Sequence, residues 1–443
     1  MTSAGELALF GGTPILTRDA HRAWPIVGEG EKQAVARVLD RGILSGPFAP
    51  EVTELQREFA HYVGARHCLV TNSGTSALVI ALAGVGVGAG DEVIVPAYSF
   101  VATPLAVLQL GATPVFADVE EETGCVDPAA VEAAITARTR AVMPVHMHGC
   151  PAAMNALAEV VRRHRLVLVE DAAQAHGALF EGRPVGAIGA AGGFSLQSSK
   201  NLPAGEGGLF VTNDDAVAIE AGSARNFGQE LRPSDEREYD VGRPLDGSRA
   251  LNSRRTGSMY RGSEFMAAFA RAQLAQLSER TSTCQLNAQR LARRLADLPG
   301  VVPPVFPPGR TSVHHKFRVR LDPARAGLHV PAERLRDVMM RALVAEGLEV
   351  VQWQTAPLPA QPVFQRRARA DGFPEASRPP FTTSTDLSKN YDPSRYPRTI
   401  SLLAGSLVLF SQSCPLIAQT DDTVDRYAEA FERVWRHREA LVA

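Results

Sequence analysis

Short runs of β-branched and apolar residues alternate with longer segments of helical spacing between residues 64 and 212. The runs lie at residues 67–71, 92–95, 114–117, 140–145 and 166–169. Two of the longer segments, residues 128–137 and 151–164, repeat apolar residues with helical spacing, and the second ends in a basic cluster that suits a helix C-terminus. This alternation predicts an α/β fold whose mainly parallel central sheet is flanked by helices.

The pattern changes after residue 212. A polar, arginine-rich tract spans residues 225–261, and a long helical pattern follows at residues 264–296. Strand-like and helix-like segments then alternate at residues 316–321, 331–346, 348–353 and 421–438. We therefore predict an N-terminal arm, a large domain, and a linker helix with a smaller C-terminal α+β domain, at residues 1–30, 31–265 and 266–443.

Residues 355–398 are the least regular part of the chain. They contain eight prolines, which excludes a single helix or strand over this length. Two interpretations stay open, a surface insertion and a lid over a substrate.

Composition favours an enzyme that acts on small molecules. The chain has 443 residues, of which 45% are apolar and 21% charged, and 46 Lys and Arg face 48 Asp and Glu. A net charge of −2 gives no reason to expect nucleic acid or an anionic membrane as the partner. The two most apolar stretches, residues 78–90 and 400–410, are shorter than the roughly 20 residues of a membrane span. We expect neither a membrane helix nor, from residues 1–14, a signal peptide.

Five cysteines are spread along the chain without a C-x-x-C pair. This arrangement argues against a disulfide framework, a zinc ribbon and an iron–sulfur ligand set. It predicts a protein of the reducing cytoplasm that holds no metal.

A glycine- and hydroxyl-rich turn at residues 71–78 is the first candidate for chemistry. A strand ends there and an apolar helix begins, so that backbone N–H groups and the helix dipole would favour a phosphate. The alternative is an ordinary helix cap made by Ser73 or Thr75.

Two further segments carry an acid and an amine. Asp171 follows a buried strand, where α/β sheets bind ligands, and its carboxylate could hold a proton on a heterocyclic nitrogen, although it could equally cap a helix. Lys200 lies in a small, glycine-bounded loop between two strand-like runs, so its amine could be desolvated and nucleophilic. A solvated loop lysine is the alternative.

Together these segments resemble a known family. The sequence resembles the DegT/StrS-type aminotransferases, which aminate keto-sugars and keto-cyclitols, in the segments TNSGTSAL, DEVIVPAYSFVAT, GATPVFADV, PVHMHG, EDAAQAHGA and FSLQSSKNLPAGEGG. The resemblance covers residues 7–212 and 260–277. LALFGGTPI near the N-terminus and Gln197, three residues before Lys200, are similar to the branch with scyllo-inosose aminotransferases and aminohydroxybenzoate synthase.

The resemblance implies a fold type I enzyme with pyridoxal 5'-phosphate as cofactor. Lys200 would bind the cofactor covalently and then act as the general base of the proton shift. Asp171 would keep the pyridine nitrogen protonated, Phe100 would stack on the ring, and Gln174 would lie near the ring hydroxyl. The remaining residues would hold the phosphate: Gly74, Thr75, Ser76 and Ser195.

The sequence departs from the family pattern at Met259. The family commonly has an Asn there that supplies a polar group to the neighbouring subunit's phosphate, and a thioether is a weak substitute. Either Arg261 or the basic pair Arg254 and Arg255 compensates, or this phosphate site is built differently. The resemblance implies a homodimer with shared active sites.

Two histidine pairs are further candidates. His314 and His315 precede a strand, and the family pattern has a substrate-facing His at about His315. Adjacent strand residues point to opposite faces, so this pair does not predict a metal site. His146 and His148 are expected to share a strand face and to serve structure or substrate contact.

The resemblance implies an aminotransferase of secondary-metabolite biosynthesis, including antibiotics, that consumes glutamine or glutamate and aminates a ring ketone. A related dehydratase would have a His in place of Lys200. A divergent pyridoxal enzyme with a pocket reshaped by residues 355–398, and a non-catalytic sensor, stay open. A nicotinamide dehydrogenase lacks support, because no G-x-G-x-x-G follows the first strand.

Overall fold

A mainly parallel seven-stranded sheet lies at the centre of residues 64–212. The computed structural model describes residues 4–229, 252–365, 391–410 and 412–443. Its strands are β1 (His67–Thr71), β2 (Glu92–Pro96), β3 (Thr113–Ala117), β4 (Thr139–Val142), β5 (Val167–Asp171), β6 (Leu179–Phe180), β7 (Arg183–Pro184), β8 (Ala191–Ser195), β9 (Gly208–Thr212), β10 (Val301–Val302), β11 (Arg310–Thr311), β12 (Phe317–Leu321), β13 (Val350–Val351) and β14 (Ser406–Leu409).

The helices cover both faces of this sheet and continue beyond it. They are α1 (Glu29–Arg41), α2 (Pro50–Val63), α3 (Gly74–Gly84), α4 (Ala102–Gln109), α5 (Pro128–Ala133), α6 (Met154–His164), α7 (Asp215–Arg225), α8 (Glu264–Ala296), α9 (Ala332–Ala345), α10 (Pro397–Gly405), α11 (Asp421–Arg436) and α12 (Arg438–Val442). The long helix α8 has the predicted bounds. The single helix predicted at residues 421–438 is instead two, because the backbone leaves helical geometry at His437.

The strand order of the large sheet is β1-β9-β8-β5-β4-β2-β3. Only β9 runs antiparallel to its neighbours, and β2, β8 and β9 are buried along their whole length. Continuous apolar runs of this kind are typical of strands covered on both faces. The predicted α/β class with a mainly parallel sheet is confirmed.

The topology brings the candidate residues to one edge of the sheet. Strands β1, β5 and β8 point in the same direction, so their carboxyl ends meet at the same edge. Gly74 follows β1, Asp171 ends β5, and Ser195 ends β8.

A second, antiparallel sheet has the order β10-β12-β14-β13. It shares a hydrophobic core with α8, α9 and α11, and Leu7, Leu16 and Trp24 from the N-terminal segment join this core. The strand predicted at residues 348–353 is reduced to Val350–Val351. The domain boundaries at residues 30 and 265 stay a prediction.

The described ends of the proline-rich segment pack on the large sheet. The rings of Phe364 and Tyr391 lie 5.1 and 5.7 Å from that of Phe116, and the Leu358 amide donates to the Ala97 carbonyl at 2.8 Å. Residues 366–390 of this segment and 230–251 of the arginine-rich tract lie outside the described residues. Within the described chain, no helix has the length and apolar character to cross a membrane.

Candidate active site at the carboxyl edge of the sheet

The loop after β8 holds Lys200 in a fixed backbone conformation. Its amide donates to the Gln197 carbonyl at 2.8 Å, and the Gln197 side chain accepts from the Ser199 amide at 2.8 Å and hydroxyl at 2.6 Å. On the other side, the Trp24 indole donates to the Lys200 carbonyl at 3.0 Å. The loop is therefore tied both to itself and to the N-terminal segment.

The Lys200 amine is the candidate nucleophile of the site. Burial lowers its pKa to about 8, and the Asp171 carboxylate partly offsets that effect. Among the residues that the structure describes, none forms a hydrogen bond or ion pair with this amine. A desolvated amine with a lowered pKa is partly neutral near neutral pH and thus nucleophilic. Lys200 itself is half-buried, and its lowered pKa favours the nucleophilic interpretation over a fully solvated lysine.

Asp171 is buried at the end of β5, with 4% of its surface exposed. One oxygen accepts from the Thr103 hydroxyl at 2.7 Å and the other from the Ala173 amide at 3.1 Å. Burial raises the pKa of Asp171, while these two bonds lower it. The bond from the Ala173 amide is the local contact that a capping role would give. The second oxygen instead accepts from a hydroxyl of α4, which is distant in sequence.

Thr103 was not singled out from the sequence, although it ends the quoted segment DEVIVPAYSFVAT. Its hydroxyl lies 2.9 Å from that of Ser99 and donates to Asp171. A threonine at the start of a helix is ordinarily read as a cap, and only the fold places this one against the carboxylate. This bond fixes the orientation of the Asp171 carboxylate, which interacts electrostatically with Lys200.

The turn between β1 and α3 combines a helix cap with an open anion site. Ser73 caps the helix, since its hydroxyl accepts from the Ser76 amide at 3.1 Å, and the Ser76 hydroxyl donates to Asn72 at 2.7 Å. The capping alternative is therefore correct for Ser73. The first amides of α3, on Gly74 and Thr75, have no acceptor within a helix, so they can serve an anion.

Gly74 and Ser195 lie against each other at this turn. A Cβ atom on Gly74 would lie 2.6 Å from the Ser195 Cβ, which no ordinary packing allows. The glycine thus lets β8 and the helix N-terminus approach closely, and it brings the Ser195 hydroxyl beside the first amides of α3.

Arg261 lies beside the same turn. Its backbone pairs with Thr71 in an isolated bridge, and its guanidinium donates to the Asn226 side chain. Met259, two residues earlier, is 48% exposed. Of the basic residues predicted to compensate for Met259, Arg255 instead pairs with Glu220 at 2.5 Å.

Arg225 is a buried cation that the sequence did not single out. It is 4% exposed and donates to the Gln56 side chain at 3.0 Å and the Val70 carbonyl at 2.9 Å. Burial and the nearby Arg261 lower its pKa to about 10. Two guanidinium groups therefore support the end of β1 with positive charge.

His148 and Gln174 form one unit next to the site. His148 adopts a left-handed backbone, with φ of 56°, and its amide donates to the Gln174 side chain at 3.0 Å. Its ring lies 2.9 Å from the Tyr98 hydroxyl and packs on Trp353. Phe100, which was predicted to stack on the cofactor ring, is 56% exposed.

His146 and His148 do not share a strand face, because β4 ends at Val142 and a turn follows. Instead, His146 is 0% exposed and pairs with Glu170 at 3.0 Å. Its Nδ1 atom accepts from the Ala152 amide at 3.1 Å, so Nε2 carries the proton donated to Glu170. His146 is a structural residue.

His315 is packed against the Lys200 loop. Its Nδ1 atom lies 3.3 Å from the Asn201 side chain, whose amide group donates to the Val313 carbonyl at 3.0 Å. Burial, with Lys200 next, holds the pKa of His315 well below its usual range. His314 has a left-handed backbone. Over the described ranges, no group of three His, Cys, Asp or Glu side chains could hold a metal ion.

The residues present fit pyridoxal phosphate. The cofactor needs a nucleophilic amine, a carboxylate for its ring nitrogen and an anion site for its phosphate. Three features at one sheet edge supply these groups: the half-buried amine of Lys200, which has no partner among the described residues, the buried Asp171, and the turn where Gly74 meets Ser195.

Comparisons with known proteins identify the family of this chain. The model of the DegT/DnrJ/EryC1/StrS aminotransferase family matches residues 25–380. An L-glutamine:2-deoxy-scyllo-inosose aminotransferase from Streptomyces fradiae is 39% identical, over 97% of this chain and 98% of its own. An L-glutamine:scyllo-inosose aminotransferase from Streptomyces griseus is 38% identical, over 97% of each chain. The solved structure of 3-amino-5-hydroxybenzoic acid synthase matches with a TM-score of 0.79 at 31% identity, over 94% of this chain and 99% of that one.

Proposed function

The chain belongs to the DegT/DnrJ/EryC1/StrS aminotransferase family, and from that premise we propose that it transfers the amino group of L-glutamine to the ketone of a cyclitol. The names of the relatives support this choice of donor and acceptor, since several glutamine:inosose aminotransferases match over nearly the full chain. Within the structure, the proposal is carried by the Lys200 amine, whose pKa is lowered to about 8 beside the buried carboxylate of Asp171.

Family membership confirms the predicted enzyme class and its cofactor, pyridoxal phosphate. When bound, the cofactor supplies a carbonyl that accepts the amino group and a ring that stabilises negative charge on the neighbouring carbon. The chain has a lysine at position 200, where the related dehydratases have a histidine. The activities named for its relatives give no support to a sensor or to another carbanion chemistry.

The proposed residue roles are those that the family resemblance implies, and the geometry of the site supports them. Lys200 would attach to the cofactor and, once released, carry a proton between the two carbons that exchange it. The ionised Asp171 would face the ring nitrogen, with Thr103 holding its orientation. Phe100 would cover the ring, and Gln174, fixed by the His148 amide, would lie at the ring hydroxyl.

Four residues and one cation would hold the phosphate. The amides of Gly74 and Thr75, at the helix N-terminus, would donate to it, and the hydroxyls of Thr75 and Ser195 would add to them. Ser76 takes part only if its hydroxyl turns away from Asn72. Arg261 would supply charge beside the turn, where Met259 offers no polar group.

We further propose a cytoplasmic homodimer with shared active sites, in the biosynthesis of an aminocyclitol secondary metabolite such as an antibiotic. Phe100, Phe227 and Met259 are between 46% and 56% exposed. Large apolar side chains beside a cofactor site favour burial by a second subunit.

Product formation tests the proposal. The purified protein, supplied with pyridoxal phosphate, L-glutamine and scyllo-inosose or its 2-deoxy form, should yield the aminocyclitol and consume glutamine in equal amounts, measured by mass spectrometry. Parallel reactions with a keto-sugar nucleotide provide the comparison. Amination of the nucleotide sugar alone would refute the cyclitol as acceptor.

A further inference from the structure

Strand β12 separates apolar from basic residues by strict alternation. Phe317, Val319 and Leu321 are between 0% and 2% exposed and belong to the core of the second sheet. The residues between them and just before them, Lys316, Arg318 and Arg320, therefore lie on the opposite face. This face is turned toward Glu121 and Glu122 in the loop after β3, and the Lys316 amide lies at the turn of His148.

Two of these three cations have partners. Arg320 pairs with the Glu121 carboxylate at 3.4 Å, and Arg318 donates to the Glu122 carbonyl at 2.7 Å. Lys316 differs from both. It is 5% exposed, and no described side chain or carbonyl hydrogen bonds to its amine. The chain has only four lysines among its 46 basic residues, and two of them lie at this site, Lys200 half-buried and Lys316 buried.

Lys316 lies close to Lys200. Its amide donates to the His148 carbonyl at 3.4 Å, and the preceding His315 contacts Asn201, the neighbour of Lys200. Burial lowers the pKa of Lys316 to about 8, and the charge of Lys200 lowers it further in the same direction. A buried ammonium without a counter-ion is unfavourable until an anion binds beside it.

We propose that the Lys316 ammonium binds the α-carboxylate of the amino-acid donor. This inference rests on the proposed function. In the donor, the reacting amine and the carboxylate are attached to the same carbon, so an amine directed at the Lys200 position carries its carboxylate into the immediate neighbourhood. A buried cation beside Lys200 distinguishes the donor from a cyclitol ketone, which is uncharged. A flexible lysine can also withdraw when the ring enters the same space.

The test compares donors with and without a carboxylate. L-Glutamine and 4-aminobutanamide carry the same amine and amide, but only glutamine carries the carboxylate. Conversion of the cofactor from its aldehyde to its amine form is followed by absorbance in single-turnover experiments. Binding of glutaramate, which keeps the carboxylate and lacks the amine, is measured by calorimetry on the holoenzyme and does not depend on turnover.

The wild-type protein should convert with glutamine at least about 10-fold more efficiently than with 4-aminobutanamide, as expected for a buried charge-assisted hydrogen bond. Lys316→Met should lower the efficiency with glutamine and the affinity for glutaramate by about 10- to 100-fold, and leave 4-aminobutanamide unchanged. Lys316→Arg should restore part of the loss. Lys32→Met removes an exposed lysine that lies 3.9 Å from Glu29, and it should behave as wild type.

Three results would overturn the inference. Equal conversion of the wild type by both donors would show that no carboxylate is recognised, whatever the folding of the variants. Unchanged glutamine efficiency and glutaramate binding in Lys316→Met would exclude this residue, while the proposed function would stand because glutamine still reacts. A wild type that binds the cofactor but reacts with neither donor would refute the proposed function as well.

Discussion

Replacing Thr103 by valine tests the role of Asp171 without touching the carboxylate. Valine keeps the shape of threonine and removes the hydroxyl that donates to Asp171 at 2.7 Å. A hydrogen bond to a charged group contributes about 1.5–3 kcal/mol. Without the cofactor, Asp171 can take up a proton when it loses the Thr103 hydrogen bond. With the cofactor bound, Asp171 must stay ionised to pair with the protonated ring nitrogen. The lost hydrogen bond therefore weakens cofactor binding.

We therefore expect Thr103→Val to raise the Kd for pyridoxal phosphate by about 10- to 150-fold. The loss should also depend on pH. Burial already raises the pKa of Asp171, and removing a donor raises it further, so affinity should fall at a higher pH than in wild type as the solution is acidified. Spectrophotometric titration with the cofactor at several pH values measures both effects.

Thr399→Val is the matched control. The Thr399 hydroxyl donates to Asp118 at the same distance, 2.7 Å, and Thr399 is fully buried in α10, away from Asp171. This variant should lose a similar amount of stability in urea and keep the cofactor affinity of wild type. An unchanged affinity in Thr103→Val, or an equal loss in both variants, would refute the reasoning.

Two further substitutions test the architecture of the site. Gly74→Ala places a Cβ atom 2.6 Å from Ser195, and the overpacking should raise the cofactor Kd about 5- to 150-fold. Gly88→Ala is the control, because its added Cβ meets nothing within 4 Å, and it should leave the Kd unchanged. Equal Kd values in titrations of the two variants would contradict the tight approach of Gly74 and Ser195. Glu170→Gln turns an amide N–H₂ group toward the Gly186 amide and His146, which both donate to the wild-type carboxylate. The free energy of unfolding, measured in urea, should fall by about 2–6 kcal/mol. A fall of less than about 1 kcal/mol would exclude this hydrogen-bond network as a stabilising feature.

Local pattern predicted much of the large sheet, because parallel strands buried on both faces leave continuous apolar runs in the sequence. The bounds of β1 and of α8 agree with the predicted segments. Short edge elements were predicted less well. In β13 only two residues pair with β14, since pairing partners, which the local pattern does not contain, decide where a strand ends.

The candidate site was predictable as a set of motifs and not as a geometry. Lys200 and Asp171 were found because each follows a strand, but they come close enough to interact only when β5 and β8 pair. The turn at His148 was missed because a non-glycine residue at positive φ has no local sequence signal. The alternation of apolar and basic residues in β12 could be predicted from the sequence. The proximity of Lys316 to Lys200 could not, because the two residues are 116 positions apart.

The central claim is that Lys200 carries the cofactor and accepts its amino group from glutamine. The most direct measurement is reduction of the pyridoxal phosphate-loaded protein with borohydride, followed by peptide mapping, alongside an unreduced sample treated with L-glutamine. The account predicts the label on Lys200 alone and a conversion of the bound cofactor to its amine form. A label on another lysine, or the absence of a label on a protein that binds the cofactor, would contradict it.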